Sequence, residues 1–154
     1  MLLTKVIKKL NRHSDYYHFI GKIASLVAMK KTNPSMKVMI SMANNFRVIS
    51  IQSRSKFAEN VKTFVDKHFL DGVDIDWEWP AAQDRDNYVF LLQDLRKALT
   101  RQKILTIAAA PCVNLASGYD IPMMLAEVDF FNVMLYNFHG RTFFYWVVYY
   151  LRIG

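Results

Sequence analysis

Cysteine is nearly missing from this chain. Cys112 is the only one in 154 residues, which excludes an internal disulfide, and its place after an apolar run suits a small packed side chain. Glycine is sparse too, with five residues scattered at positions 21, 72, 118, 140 and 154, so neither a GxGxxG turn nor a phosphate loop exists and nucleotide binding is disfavoured. The histidines at 13, 18, 68 and 139 form neither HExxH nor CxxC-type spacing, so no metal and no other cofactor is expected, and His68 reads as a packed or capping side chain. Long apolar runs are also lacking. The longest, Phe143 to Leu151, falls well short of the roughly 20 residues that cross a bilayer, so no membrane span is expected. No signal peptide is visible, because Leu2 and Leu3 give way at once to Lys5, Lys8 and Lys9.

What is present is a foldable composition, 53% hydrophobic and 14% aromatic, which excludes a disordered or low-complexity chain. One domain over residues 1–154 is expected. An eight-fold (β/α) barrel takes about 250 residues, so the chain has room for only part of one. The net charge of +7 is concentrated between Met1 and Lys37, where eight basic residues meet one acid; the rest of the chain balances 12 against 12. Such a run is usually a solvated helix face, and with no recognition motif beside it no nucleic-acid partner is expected.

Periodicity organises the chain. Asp15 to Lys31 places Phe19, Ile20, Ile23, Leu26 and Val27 at helical spacing, and Met36 to Ala43 holds a continuous apolar run of strand length. A second helix is predicted over Ser55 to Phe69, with Gly72 just beyond its end, followed by a strand over Val73 to Trp77. Asp86 to Arg101 again reads as a helix and Ile104 to Ala110 as a buried strand; a short helix near Ile121 to Glu127 precedes a strand over Phe130 to Tyr136. Strands starting near 37, 73, 104 and 130, separated by helices, have the spacing of βαβ units. Two α/β architectures remain, an open doubly wound sheet or a piece of a (β/α) barrel.

One segment departs from the apolar strand pattern: Asp71-Gly72-Val73-Asp74-Ile75-Asp76-Trp77-Glu78-Trp79-Pro80. Successive strand residues face opposite ways, so Asp74, Asp76 and Glu78 share one face while Val73, Ile75 and Trp77 share the other. If the apolar set meets the covering helices, three carboxylates about 6 to 7 Å apart line the far side of the sheet. Mutual repulsion and lost hydration then keep at least one protonated beside an ionised partner, the division of labour that glycosidic cleavage needs. Glu78 stands at the strand's C-terminal end, where parallel α/β folds open their sites.

DGVDIDWEWP resembles the DGxDxDWExP signature of glycoside hydrolase family 18, the chitinases and chitinase-like proteins. On either side, NPSMKVMISM is similar to that family's third-strand segment and VMLYNFHG to its sixth-strand MxYDxHG. The likeness covers residues 20 to 140 or so, and it implies a truncated, incomplete catalytic domain. The implied fold is α/β, a partial (β/α)8 TIM barrel of about strands three to six with flanking helices. The implied activity is retaining, substrate-assisted hydrolysis of β-1,4-linked N-acetylglucosamine, with chitin or chitooligosaccharide as partner, no cofactor and an extracellular location. By the same resemblance Glu78 is the acid and base, Asp76 orients the substrate acetamide, Asp74 hydrogen-bonds Asp76 and shares its proton, and Tyr136 donates to the acetamide. Trp79, Met134 and Asn137 are expected to bind substrate, with Ser41 and Asp71 supporting them from behind.

The motifs differ at three places. Where the family reads SxGG after its third strand, this chain has Ser41-Met42-Ala43-Asn44-Asn45, so strain is expected at Ala43 and Asn44. Asn137 replaces an acid of the sixth strand. Strands one, two, seven and eight have no evident counterpart, and the aromatic stretch from Thr142 to Gly154 is placed only as a cover for one sheet edge. Competing expectations are a non-catalytic, lectin-like chitin-binding protein, an inactive fragment, and an endo-N-acetylglucosaminidase.

Overall fold

A computed structural model describes residues 2–7, 13–43, 46–49, 51–112, 114, 116–134 and 148–151. Strands and helices alternate as β1 (Leu2–Ile7), α1 (His13–Ala28), β2 (Lys37–Ala43), α2 (Ile51–Lys67), β3 (Gly72–Asp76), α3 (Arg85–Leu99), β4 (Ile104–Ala109), α4 (Ile121–Leu125), β5 (Phe130–Met134) and β6 (Val148–Leu151). One six-stranded sheet holds them in chain order, β1 to β6. The first five strands are parallel and β6 runs antiparallel to β5. Each parallel strand lies beside its predecessor, so the winding never reverses. That excludes the doubly wound sheet, which needs a reversal, and leaves the barrel-type arrangement.

Burial sorts the two sheet faces. Val38 and Ile40 of β2, Val73 and Ile75 of β3, Leu105 and Ile107 of β4 and Phe131 of β5 join one core with Ile23 of α1, Val61 and Val65 of α2 and Leu91, Leu92 and Leu95 of α3. Alternation therefore turns Ser41, Asp74, Asp76, Thr106 and Asn132 to the face away from the helices.

Two strands fall outside the four expected. β1 pairs with β2 from Leu2↔Lys37 to Ile7↔Met42. Its sequence, LLTKVI, lacks the continuous apolar run that marks the central strands. At the opposite side, Val148 to Leu151 of the aromatic tail lies along the edge of β5.

Gly72 does not end α2. The helix closes in a Schellman motif, with Leu70 N donating to Val65 O at 2.9 Å, Phe69 N donating to Asp66 O at 3.1 Å, and Phe69 itself in the left-handed region at φ 54°. Gly72 instead lies within β3, where an added Cβ would stand 2.1 Å from Ile104 O; its missing side chain lets β4 approach. Cys112 is exposed rather than packed, because it lies past the end of β4, outside the sheet. His68 stacks on Phe64 with ring centroids 4.5 Å apart, and burial pulls its pKa down.

Two acids, each one residue ahead of its strand, repeat one device at the N-terminal end of the sheet. Asp71 Oδ2 accepts from Val38 N at 2.7 Å while Asp71 N donates to Val38 O at 2.8 Å. Asp129 does the same with Leu105, both bonds at 2.8 Å. A cation from the end of a preceding helical segment closes each, Lys30 Nζ on Asp71 at 2.8 Å and Arg96 Nη2 on Asp129 at 2.7 Å. These clamps fix the register of β3 against β2 and of β5 against β4.

Candidate active site

The acidic row stands on β3 and the loop that follows it. Val73, Ile75 and Trp77 are buried against the helices, which forces Asp74, Asp76 and Glu78 to the other side. Trp77 anchors this arrangement, with its ring 5.9 Å from Phe46 and 5.0 Å from Tyr88. Asp74 and Asp76 are buried; Glu78, past the strand end, reaches solvent.

The two buried acids have unlike surroundings. Asp74 Oδ2 accepts from Ser41 Oγ at 2.7 Å, and its Oδ1 accepts from Thr106 Oγ1 at 2.6 Å and Asn132 Nδ2 at 2.8 Å. Asp76 hydrogen-bonds Glu78 instead, and its Oδ1 is buried with no partner. Lost hydration first, then the charges of Glu78 and Asp74, push the pKa of Asp76 up to about 7. Asp76 therefore keeps its proton to near neutrality, while Asp74 offers its oxygens to donors on β2, β4 and β5.

The loops around this strand end are braced to one another. Arg47, after β2, binds Asp84 through two bonds, Nε to Oδ1 at 2.7 Å and Nη2 to Oδ2 at 2.6 Å, and Asp84 also accepts from Ala81 N at 2.9 Å. The hydrogen bond from Arg47 holds the Asp84 carboxyl below the usual carboxylate range. The next residue, Arg85, pairs at 3.1 Å with Asp120, whose side chain caps α4. Gly118 packs beneath the Glu78-Trp79-Pro80 turn, where a Cβ would sit 2.3 Å from Pro80 O.

That contact makes a prediction with its own control. Gly118→Ala is expected to destabilise the chain by about 1–3 kcal/mol, since the backbone opposite must move. Gly21→Ala, in α1 with nothing within 4 Å of the added Cβ, is expected to stabilise it. The gain should be up to about 1 kcal/mol. Urea unfolding of both variants checks the opposite signs.

The structure thus brings Asp74, Asp76, Glu78 and Ser41 together. Half-buried Trp79 lies in the adjoining turn, and Met134 follows Asn132 by two residues on the same face of β5. Asp71 stands at the other end of β3, in its clamp. Tyr136 and Asn137 lie outside the described residues, as does Asn44. Ala43 completes β2 without the left-handed backbone expected there, since among the described non-glycine residues only Phe69 and Thr100 have positive φ. Thr106 and Asn132 were not legible as site residues, although each is a polar interruption of an apolar strand. Among the described residues no three His, Cys, Asp or Glu side chains gather as a metal ion would require. No described helix is long and apolar enough to cross a membrane.

The sequence profile of glycosyl hydrolases family 18 matches residues 4–146. The chain belongs to family 18. Within it, the chain is similar to chitinase A1 of Niallia circulans, 31% identical over 144 residues that span 78% of this chain and 21% of that protein. Among solved structures it resembles chitinase ChiA74 of Bacillus thuringiensis, at 30% identity and a TM-score of 0.69, covering 79% of this chain and 23% of that one. The chitinase domain of the spore coat protein CotE of Clostridium difficile superposes with a TM-score of 0.70 at 30% identity, over 78% of this chain and 40% of that one. The chain spans 21% to 31% of the length of the curated relatives it matches, so this family 18 sheet is part of a barrel.

Proposed function

We propose that the chain carries the catalytic strand of a chitinase, which cleaves β-1,4-linked N-acetylglucosamine in chitin or chitooligosaccharides with retention. The observation that carries this reading is the pairing of Asp76 with Glu78 at the open end of β3, with the Asp76 pKa raised to about 7 by burial beside two acids. Glu78 supplies a proton to the glycosidic oxygen as the bond to the leaving sugar breaks. The substrate's own acetamide oxygen attacks the anomeric carbon, which is why family 18 stands outside the two-carboxylate rule. Asp76 holds the acetamide and balances the positive charge of the cyclic intermediate. Water then attacks the anomeric carbon and gives its proton to Glu78, while the bond from that carbon to the acetamide oxygen breaks and the neutral acetamide re-forms. Tyr136 donates to the acetamide, and Trp79, Met134 and Asn137 line the sugar site. Chitinase names among the relatives support the substrate class, and such a substrate places the protein outside the cell.

Glu78→Gln tests the reading. It keeps the side chain's size and removes the acid, so release of sugar from a chitooligosaccharide is expected to fall by about 10²–10⁴-fold. Equal rates from both chains would overturn the reading. Retention on chitin beads without sugar release from the unaltered chain would favour a lectin-like binder instead.

A further inference from the structure

The N-terminal end of the sheet, opposite the candidate active site, carries a feature that folding alone does not ask for. Phe69 closes α2 at the position where a Schellman motif ordinarily has glycine, and its φ of 54° crowds any Cβ. A bulky side chain in that region is an outlier. The ring gains little burial in return: Phe69 is 73% exposed, the most exposed of the large apolar side chains described. A costly backbone conformation that holds a phenyl ring out in water points to a contact outside the chain. Met29, in the 3-10 turn that follows α1, is 49% exposed. The bond from Lys30 Nζ to Asp71 at 2.8 Å ties the two segments together at this end.

The charge on these segments is mostly of one sign. Lys30, Lys31, Lys37, Lys62, Lys67 and Lys103 meet two acids, Asp66 and Asp71, which leaves a formal excess of four positive charges. Both acids are already engaged, Asp66 by Lys62 and by Lys103 at 3.2 Å, Asp71 by Lys30 and by Lys37 at 3.9 Å. Lys31 and Lys67 are exposed and pair with no acid among the described residues. A lysine stem lies readily along an apolar surface while its ammonium group stays in water. Apolar side chains ringed by such groups match the two layers of an anionic bilayer, charged headgroups outside and acyl chains within. A soluble polyanion would meet the lysines but offer the phenyl ring nothing to enter. We propose that this end of the sheet docks the chain on an anionic lipid surface, with Phe69 and Met29 entering the acyl boundary and Lys31 and Lys67 meeting the headgroups. The parallel strands then point their C-terminal ends, where Asp76 and Glu78 stand, away from the bilayer. The inference does not depend on the reaction proposed above.

Sedimentation of the full chain with lipid vesicles tests the proposal and needs no turnover. Vesicles of phosphatidylcholine mixed with phosphatidylglycerol should bind the chain, and vesicles of phosphatidylcholine alone should bind it at least about tenfold more weakly. Lys31→Gln and Lys67→Gln should each weaken binding to the mixed vesicles by about fivefold, and added salt should weaken it too. Phe69→Gly should weaken it by about tenfold or more, the loss of one buried phenyl ring. Its urea midpoint should meanwhile stay level or rise, because glycine accepts the left-handed backbone that phenylalanine resists. Should Phe69→Gly fail to fold, Phe69→Asn replaces it, with the same loss of binding expected. Equal binding to both kinds of vesicle, binding to neither, or unaltered binding in the folded Phe69 variant overturns the proposal. Retention on heparin that depends on Lys31 and Lys67 but not on Phe69, without vesicle binding, would make this end of the sheet a polyanion site and overturn it as well.

Discussion

Asp76→Asn should leave the stability of the chain nearly unchanged at pH 4 and raise it at pH 8. The folded-state pKa of Asp76, about 7, lies above the ordinary aspartate value of 3.8. Between those values the folded chain holds a proton that the unfolded chain has released, so stability falls as pH rises through the window and is level above it. A shift of this size corresponds to at most about 4 kcal/mol. Asparagine has the shape of the protonated acid and nothing to ionise. The difference between the two chains should therefore grow from near zero at pH 4 to about 2–4 kcal/mol at pH 8. His68, whose pKa is lowered by burial, works in the opposite direction below 6.5, and Asp84 and Asp66 lose their contribution only as pH falls through their lowered values. Those effects are common to both chains and cancel. Urea unfolding at pH 4, 6 and 8 measures the difference, and two parallel stability curves would contradict the buried, poorly compensated carboxyl. A gain in stability from altering a proposed catalytic acid is what a site holding unfavourable chemistry in place predicts.

The carboxylate row was legible because strand alternation is unforgiving: Val73, Ile75 and Trp77 had to face the helices, and the acids had no other side to occupy. The helices and central strands were legible for a similar reason, since Leu91, Leu92 and Leu95 or Val61 and Val65 are buried on one stripe each. What escaped was set by contacts distant in sequence. Asn132 reaches Asp74 across 58 positions, and a single polar residue in FFNVM does not say which strand it meets. Asp71 and Asp129 play one role, yet the chain around them shares no repeated pattern, so the two clamps become visible only once the strands are paired. β1 escaped because the lysine within LLTKVI interrupts the apolar run by which the other strands were read. Gly72 and Gly118 mark close approaches of backbone to backbone, which spacing alone does not distinguish from a helix stop or a turn.

The second large effect is expected at the opposite end of the sheet. Arg96 is 6% exposed and spends its guanidinium on four acceptors: Glu127 O at 2.6 Å, Thr100 O at 2.8 Å, Lys103 O at 2.9 Å and Asp129 Oδ2 at 2.7 Å. Arg96→Leu fills much of the volume but abandons three carbonyls and a carboxylate, which should cost about 3–5 kcal/mol. Lys30 occupies the matching place on Asp71, yet its side chain is 27% exposed, and Asp71 keeps Val38 N and has Lys37 Nζ 3.9 Å away. Lys30→Leu should therefore cost only about 1 kcal/mol. Adding Asp129→Asn to Arg96→Leu removes the stranded charge and should restore part of the loss, while the three carbonyls stay unpaired. Urea unfolding of the four chains decides the matter: equal losses for Arg96→Leu and Lys30→Leu would show that the buried fork is no stronger than the exposed ammonium.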